Sequence, residues 1–105
     1  SSDVCSSDLV KGLIQDGLKW GVVADQDTNM VLALIHSTYA LSYINVARTM
    51  VTDSDIERIT NMHIGEVYKD MRRRHNLITH KLFKKYPRLR PKGKGGATAG
   101  EGWLR

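Results

Sequence analysis

The longest apolar run in the chain, "MVLALIHSTYALSYINVARTMV" at positions 30–51, does most to limit what the sequence can fold into. Leu32, Ile35, Tyr39, Tyr43, Val46 and Met50 recur at three- and four-residue spacing, and Met30, Leu34, Leu41 and Ile44 widen the stripe. That pattern predicts a helix with a broad apolar face. The run is long enough to cross a bilayer, but it contains His36, Asn45 and Arg48, and Arg or Asn near mid-membrane is costly. It therefore reads as the core helix of a small all-α domain over about 28–51, with Asp27 or Thr28 as its N-cap and no membrane as partner. Tyr39, Tyr43 and the breadth of the apolar face also suit a homodimer contact through this helix.

The chain begins "SSDVCSSDL" at 1–9, which resembles a sequencing-library adapter translated in one frame. The segment lacks the basic start and continuous apolar run of a secretory signal, and it is set aside from the fold as a tag would be. The natural N-terminus is then expected to be missing. Setting it aside removes Cys5, the one cysteine, and leaves 9 acidic residues against 16 Lys plus Arg, a formal charge of +7 where the whole chain has +5. A chain without thiols excludes a disulfide scaffold and thiolate zinc, and fits a cytoplasmic location. The next stretch, "VKGLIQDGLKWGVVA" at 10–24, has helical apolar spacing but is interrupted by Gly12, Gly17 and Gly21, each costing about 1 kcal/mol in a helix interior. It reads as the remnant of a damaged element.

After the core helix, "VTDSDIERI" carries a new start signal. Thr52 or Asp53 can accept from the orphan amides, and Asp55 and Glu57 sit where the helix dipole favours anions. The pattern continues to Tyr86, where Pro87 ends any helix. The domain is thus expected over 10–86, followed by a flexible basic tail at 87–105 that holds both prolines and five of the nine glycines.

Asn61 is the residue that divides this second half. Left-handed backbone at a tight turn suits glycine first and asparagine next, and a break there leaves two short apolar faces where one long helix would have a poor stripe. Ile56 and Ile59 would pack the first helix, Met62 the turn, and Val67 with Met71 the inner side of the second. Residues 53–74, "DSDIERITNMHIGEVYKDMRRR", resemble the helix-turn-helix of sigma-factor region 4 and LuxR-type regulators. Asp55–Ile56 stand at the opening pair, Asn61 at the turn glycine, Gly65 and Val67 in the recognition-helix start and Met71 at the leucine. Glu57 departs from the usual alanine and Thr60 from the usual leucine. The resemblance implies an all-α DNA-binding module whose second helix enters the major groove.

On that reading His63, Glu66, Tyr68, Lys69, Arg72 and Arg73 are the exposed base-reading residues. Between positions 71 and 100 lie ten Lys or Arg and no acid, a footprint for phosphates. Arg74, Lys81, Lys84, Lys85, Arg88, Arg90, Lys92 and Lys94 would contact the backbone of DNA, with RNA as an alternative partner. The expected role is transcriptional regulation or another sequence-directed DNA event, such as recruitment of a viral packaging or recombination machine. The competing class is a helical assembly or adaptor protein whose basic tail touches nucleic acid without reading it. His75 and His80 lie about 140° apart on a helix and no set of metal ligands, cofactor motif or catalytic pairing stands out, so no enzyme, metal or cofactor is expected. His36 reads as a satisfied histidine within the apolar helix.

Overall fold

The computed structural model describes the backbone of residues 2–91 and the side chains of residues 7–91. The side chain of Cys5, together with Lys92, Lys94 and most of the segment read as a tail, lies outside the described residues. Among the described residues there are four α-helices and no strand: α1 (Ser2–Gln26), α2 (Met30–Met50), α3 (Asp53–Thr60) and α4 (Ile64–Lys85), with a single 3-10 turn at Pro87–Leu89. The all-α class expected from the sequence is the class observed.

α1 and α2 form an antiparallel hairpin joined by residues 27–29, and α4 returns along α2. The segment read as damaged is one continuous helix, and two of its three glycines sit where another helix presses against it. A Cβ on Gly17 would lie 2.8 Å from Ile44 Cδ1 and 3.2 Å from the Ala40 carbonyl oxygen, so Gly17 lets α1 and α2 approach closely. Gly21 faces Met71 in the same way, with the methyl carbon 3.3 Å from an added Cβ, whereas nothing approaches Gly12. The adapter-like residues continue into α1 as its first turns. Among the described side chains, the buried cluster takes its α1 members from Val10 and Ile14.

α2 starts at Met30, two residues later than expected. Asn29, not Asp27 or Thr28, is its N-cap, and its side-chain oxygen accepts from the amides of Val31 at 2.8 Å and Leu32 at 3.1 Å. Asp27 instead accepts from His36 Nδ1 at 2.6 Å, and the His36 ring stacks on Trp20 with centroids 4.9 Å apart. His36 is thus satisfied, as expected.

The larger correction concerns which side of α2 is the core. Its buried residues are Ala33, Ser37, Ala40, Leu41, Ile44 and Ala47, while Leu32, Ile35, Tyr39, Val46 and Met50 are 39 to 48% exposed. Small residues win the inner face because three helices must pass close together there, as Gly17 against Ala40 and Ile44 shows. α2 is also long and apolar enough to cross a membrane by length and composition, with one-third of its most apolar window buried in the fold.

Candidate nucleic-acid interface

α3 begins with a reciprocal cap: Asp55 N–H donates to Thr52 Oγ1 at 3.1 Å and Thr52 N–H to Asp55 Oδ2 at 3.4 Å. Each satisfies an orphan amide of the first turn. The Thr52 hydroxyl first, then the Arg58 guanidinium and the Thr52 amide, hold the Asp55 carboxyl below its ordinary value of 3.8. Arg48, at the end of α2, locks the corner with a two-point contact to Asp53, Nε to Oδ1 and Nη2 to Oδ2, both 2.9 Å.

α3 ends at Asn61, the one non-glycine residue with positive φ (59°, ψ 30°) among the described residues, whose amide donates to the Glu57 carbonyl at 2.7 Å. The left-handed turn thus falls at the residue the sequence pattern selects. Ile56 is fully buried, and Ile59 and Met62 pack against the same cluster. Glu57 is not a buried charge: it is 42% exposed and lies 3.4 Å from His63 Nδ1. α4 then starts at Ile64 behind His63, which caps it by position without a side-chain hydrogen bond.

Val67 and Met71 pack against the core cluster, partly buried, as expected, and the inner face of α4 extends beyond them. Ile64, Tyr68, His75, Thr79 and Leu82 are buried, and Val67 and Met71 sit on the flank toward α1, lining a cleft of about 400 Å³ with Leu18, Gly21 and Ile78. Tyr68 is therefore not a base-reading residue. It is 6% exposed, held under the Arg48 guanidinium at 4.9 Å from its ring. Val67 and Tyr68 are adjacent, about 100° apart, and the larger apolar surface of tyrosine takes the position facing α2. His75 is likewise drawn inward, its Nε2 3.1 Å from Thr38 Oγ1.

The other candidate residues divide into two groups. His63, Glu66, Lys69 and Arg73 are exposed and Arg72 is half-exposed, 5.8 Å from the Tyr68 ring. By helical position Glu66, Lys69, Arg73, His80 and Lys84 fall along the side of α4 opposite the core. His80 belongs to that ridge although the sequence pattern did not single it out for nucleic acid. Counting three and four residues from Arg73 would have found it. Lys81, Lys84, Lys85, Arg88 and Arg90 are also exposed, gathered at the far end of α4 and the 3-10 turn.

Arg74 belongs to neither group. It pairs with Asp25 of α1 and, at 2.9 Å, with Asp70 one turn earlier. Asp25 chiefly, and Asp70 after it, push its pKa further up. A phosphate would have to displace two carboxylates to reach it, so Arg74 is a tie between α1 and α4. Asp70 also pairs with Arg73, and Arg73 and Arg74 hold its carboxyl below 3.8. Among the described residues no three of His, Cys, Asp and Glu gather as a metal site.

No protein-family model matches this chain, and no curated protein or solved structure matches it.

Proposed function

We propose that the chain is a DNA-binding helix-turn-helix module. The observation that carries this reading is the setting of α4: it leaves a tight left-handed turn at Asn61 and presents donors on its outer ridge before running into a basic end. Such a helix suits the major groove, where Lys and Arg recognise guanine O6 and N7 and a carboxylate accepts from the cytosine amino group. Lys69 and Arg72 are the candidates for guanine, Glu66 for cytosine, with His63 and Arg73 beside them. Lys81, Lys84, Lys85, Arg88 and Arg90 hold backbone phosphates, which position the protein without reading sequence. The role this implies is transcriptional regulation or another sequence-directed DNA event.

Selection of duplexes from a random pool tests this directly. The module enriches a defined motif, and Arg72→Ala blurs that motif at one position. A pool that returns without enrichment, while duplex and single-stranded RNA bind as well as DNA, sinks the reading. One observation favours the second class, a helical assembly protein that touches nucleic acid non-specifically: the exposed apolar side of α2. That class predicts uniform, sequence-blind loss of binding from every basic substitution, Arg72→Ala included.

A further inference from the structure

α2 carries apolar residues on two sides; the inner one is buried in the core, while the outer one is covered only along one edge, where Tyr39 meets Trp20 of α1 edge-on at 5.2 Å. The inner side is built from Ala33, Ser37, Ala40, Leu41, Ile44 and Ala47. The outer side presents Leu32, Ile35, Tyr39, Ser42 and Val46, spaced three, four, three and four residues apart, which is the spacing of a helix that packs lengthwise against another. Val31 and Met50 extend it at the two ends, 50% and 41% exposed.

No Asp, Glu, Lys or Arg occurs between Met30 and Ala47. His36, the one titratable imidazole on this stretch, is turned to Asp27 and Trp20, and Arg48 is committed to Asp53. Two copies of a chain with net charge +5 can therefore set their α2 stripes together without opposing like charges, and Lys19 of α1, 5.7 Å from the Trp20 ring, stands at the rim of the groove. The exposed parts of the six large residues amount to roughly 500 Å², as large as the largest apolar patch on an ordinary monomer. Covering it on two copies buries roughly 1,000 Å² before the flanking residues count, the lower bound for a specific interface.

The shape of the surface matches a second copy as well. Beside Tyr39 a groove of about 310 Å³ is lined by Leu13, Trp20, Ser42, Tyr43 and Val46. In an antiparallel pair whose two-fold axis passes between residues 40 and 41, Tyr39 of each copy lies over Ser42 of the other. Ile35 then lies against Val46. The large ring is set opposite the smallest residue of the stripe, as close helix packing requires.

We propose that the outer side of α2 is a homodimer interface, antiparallel, with Tyr39 of each copy seated in the groove at Ser42 of the other. The proposal makes no use of the nucleic-acid reading and stands or falls separately from it. A bilayer is the competing occupant. A transmembrane α2 would have to give up the packing of Leu41 and Ile44 in the core, whereas a second copy leaves the fold intact.

Sedimentation equilibrium of the full chain, without nucleic acid, reads the outcome. The chain is a reversible dimer at micromolar concentration, and Tyr39→Glu, which places an unpaired carboxylate in the contact, weakens the dimer about 100-fold or more. Because Tyr39 also meets Trp20 within the chain, circular dichroism of the variant is read beside that of Val46→Glu, a 48% exposed position on the same stripe; both keep the helix content and both weaken the dimer. With Cys5→Ser in every chain, Ile35→Cys chains mixed with Val46→Cys chains oxidise to a mixed disulfide dimer in preference to either self-linked one. A monomer at 100 μM overturns the proposal, as does a dimer that ignores Tyr39→Glu. Preferential self-linking of Ile35→Cys chains overturns the antiparallel arrangement. Partition of the chain into phosphatidylcholine vesicles, abolished by Tyr39→Glu, assigns the surface to lipid and overturns it too.

Discussion

The Arg48 guanidinium makes a two-point contact with the Asp53 carboxylate, both bonds 2.9 Å, while lying 4.9 Å above the ring of Tyr68. One side chain from the end of α2 thereby fixes the start of α3 and the first turns of α4. A lysine keeps the charge but has neither the fork nor the flat face. Arg48→Lys should destabilise the fold by about 1–2 kcal/mol, the lower part of the range for charge-assisted pairs because both groups are partly exposed. Urea unfolding checks this, and Arg48→Ala should cost more than Arg48→Lys.

The three glycines of α1 should respond differently to the same substitution. Gly12→Ala meets nothing within 4 Å and should stabilise the chain by about 0.5–1 kcal/mol through helix propensity. Gly17→Ala gains the same propensity but drives a methyl to 2.8 Å from Ile44 Cδ1 and 3.2 Å from backbone oxygen. It should therefore destabilise, by about 1–3 kcal/mol, as overpacking does. Ile44→Val in the Gly17→Ala background should recover part of the loss by removing that Cδ1. Equal effects at positions 12 and 17 in thermal unfolding would show that α1 does not seat on α2 through Gly17.

Asn61 supplies a third test. At φ 59° a residue with a Cβ and no compensating side-chain polarity costs about 1–2 kcal/mol relative to glycine. Asn61→Gly should hold or raise the melting temperature, and Asn61→Val should lower it by several degrees. A continuous α3–α4 helix in solution would reverse that order, since valine is tolerated in a helix better than glycine.

These positions also show what could be read from the sequence and what could not. The left-handed residue, a cap at Thr52 or Asp53 and the end of α4 before Pro87 were legible because each rests on local backbone chemistry, although Pro87 goes on to open a 3-10 turn. The inner side of α2 was not. Hydropathy ranks Leu32, Ile35 and Tyr39 above Ala33, Ser37 and Ala40, but burial there is decided by how near another helix comes, which depends on Gly17, on a different helix and against Ala40 and Ile44. Tyr68 failed for a related reason: an amphipathic tyrosine on a basic helix reads as polar until a guanidinium on a different helix is found to cover its ring.

Acid should expose the cap at the start of α3. The folded state lowers the pKa of Asp55 below 3.8, through Thr52 first and Arg58 next, and Asp70 is lowered by Arg73 and Arg74. A depressed carboxyl stabilises the fold above its unfolded pKa, and that stability is lost as the pH falls through the lower folded value. The wild-type chain should therefore lose stability on acidification from about pH 5 downward. Asp55→Asn should begin less stable and lose less over the same interval. Denaturation midpoints for the two proteins at matched salt separate this from general charge repulsion, which both share.

Salt dependence distinguishes the residues that position DNA from those that read it. Each phosphate neutralised releases condensed counterions, so the logarithm of affinity falls with the logarithm of salt at a slope of about 0.9 per contact on duplex DNA. Lys84 and Lys85 are exposed at the basic end of α4. The Lys84→Ala/Lys85→Ala variant should lower the slope magnitude by about 2, weakening selected and scrambled duplexes alike. Arg72→Ala should leave the slope nearly unchanged and lower the preference for the selected duplex over the scrambled one by about 10-fold, the lower end for loss of one bidentate base contact. Arg74→Ala should do neither, because Asp25 and Asp70 already hold that guanidinium. Its effect should appear instead as lost stability where α1 meets α4. If Arg74→Ala lowers the salt slope as Lys84→Ala/Lys85→Ala does, the ion pairs yield to phosphate and Arg74 belongs to the binding surface.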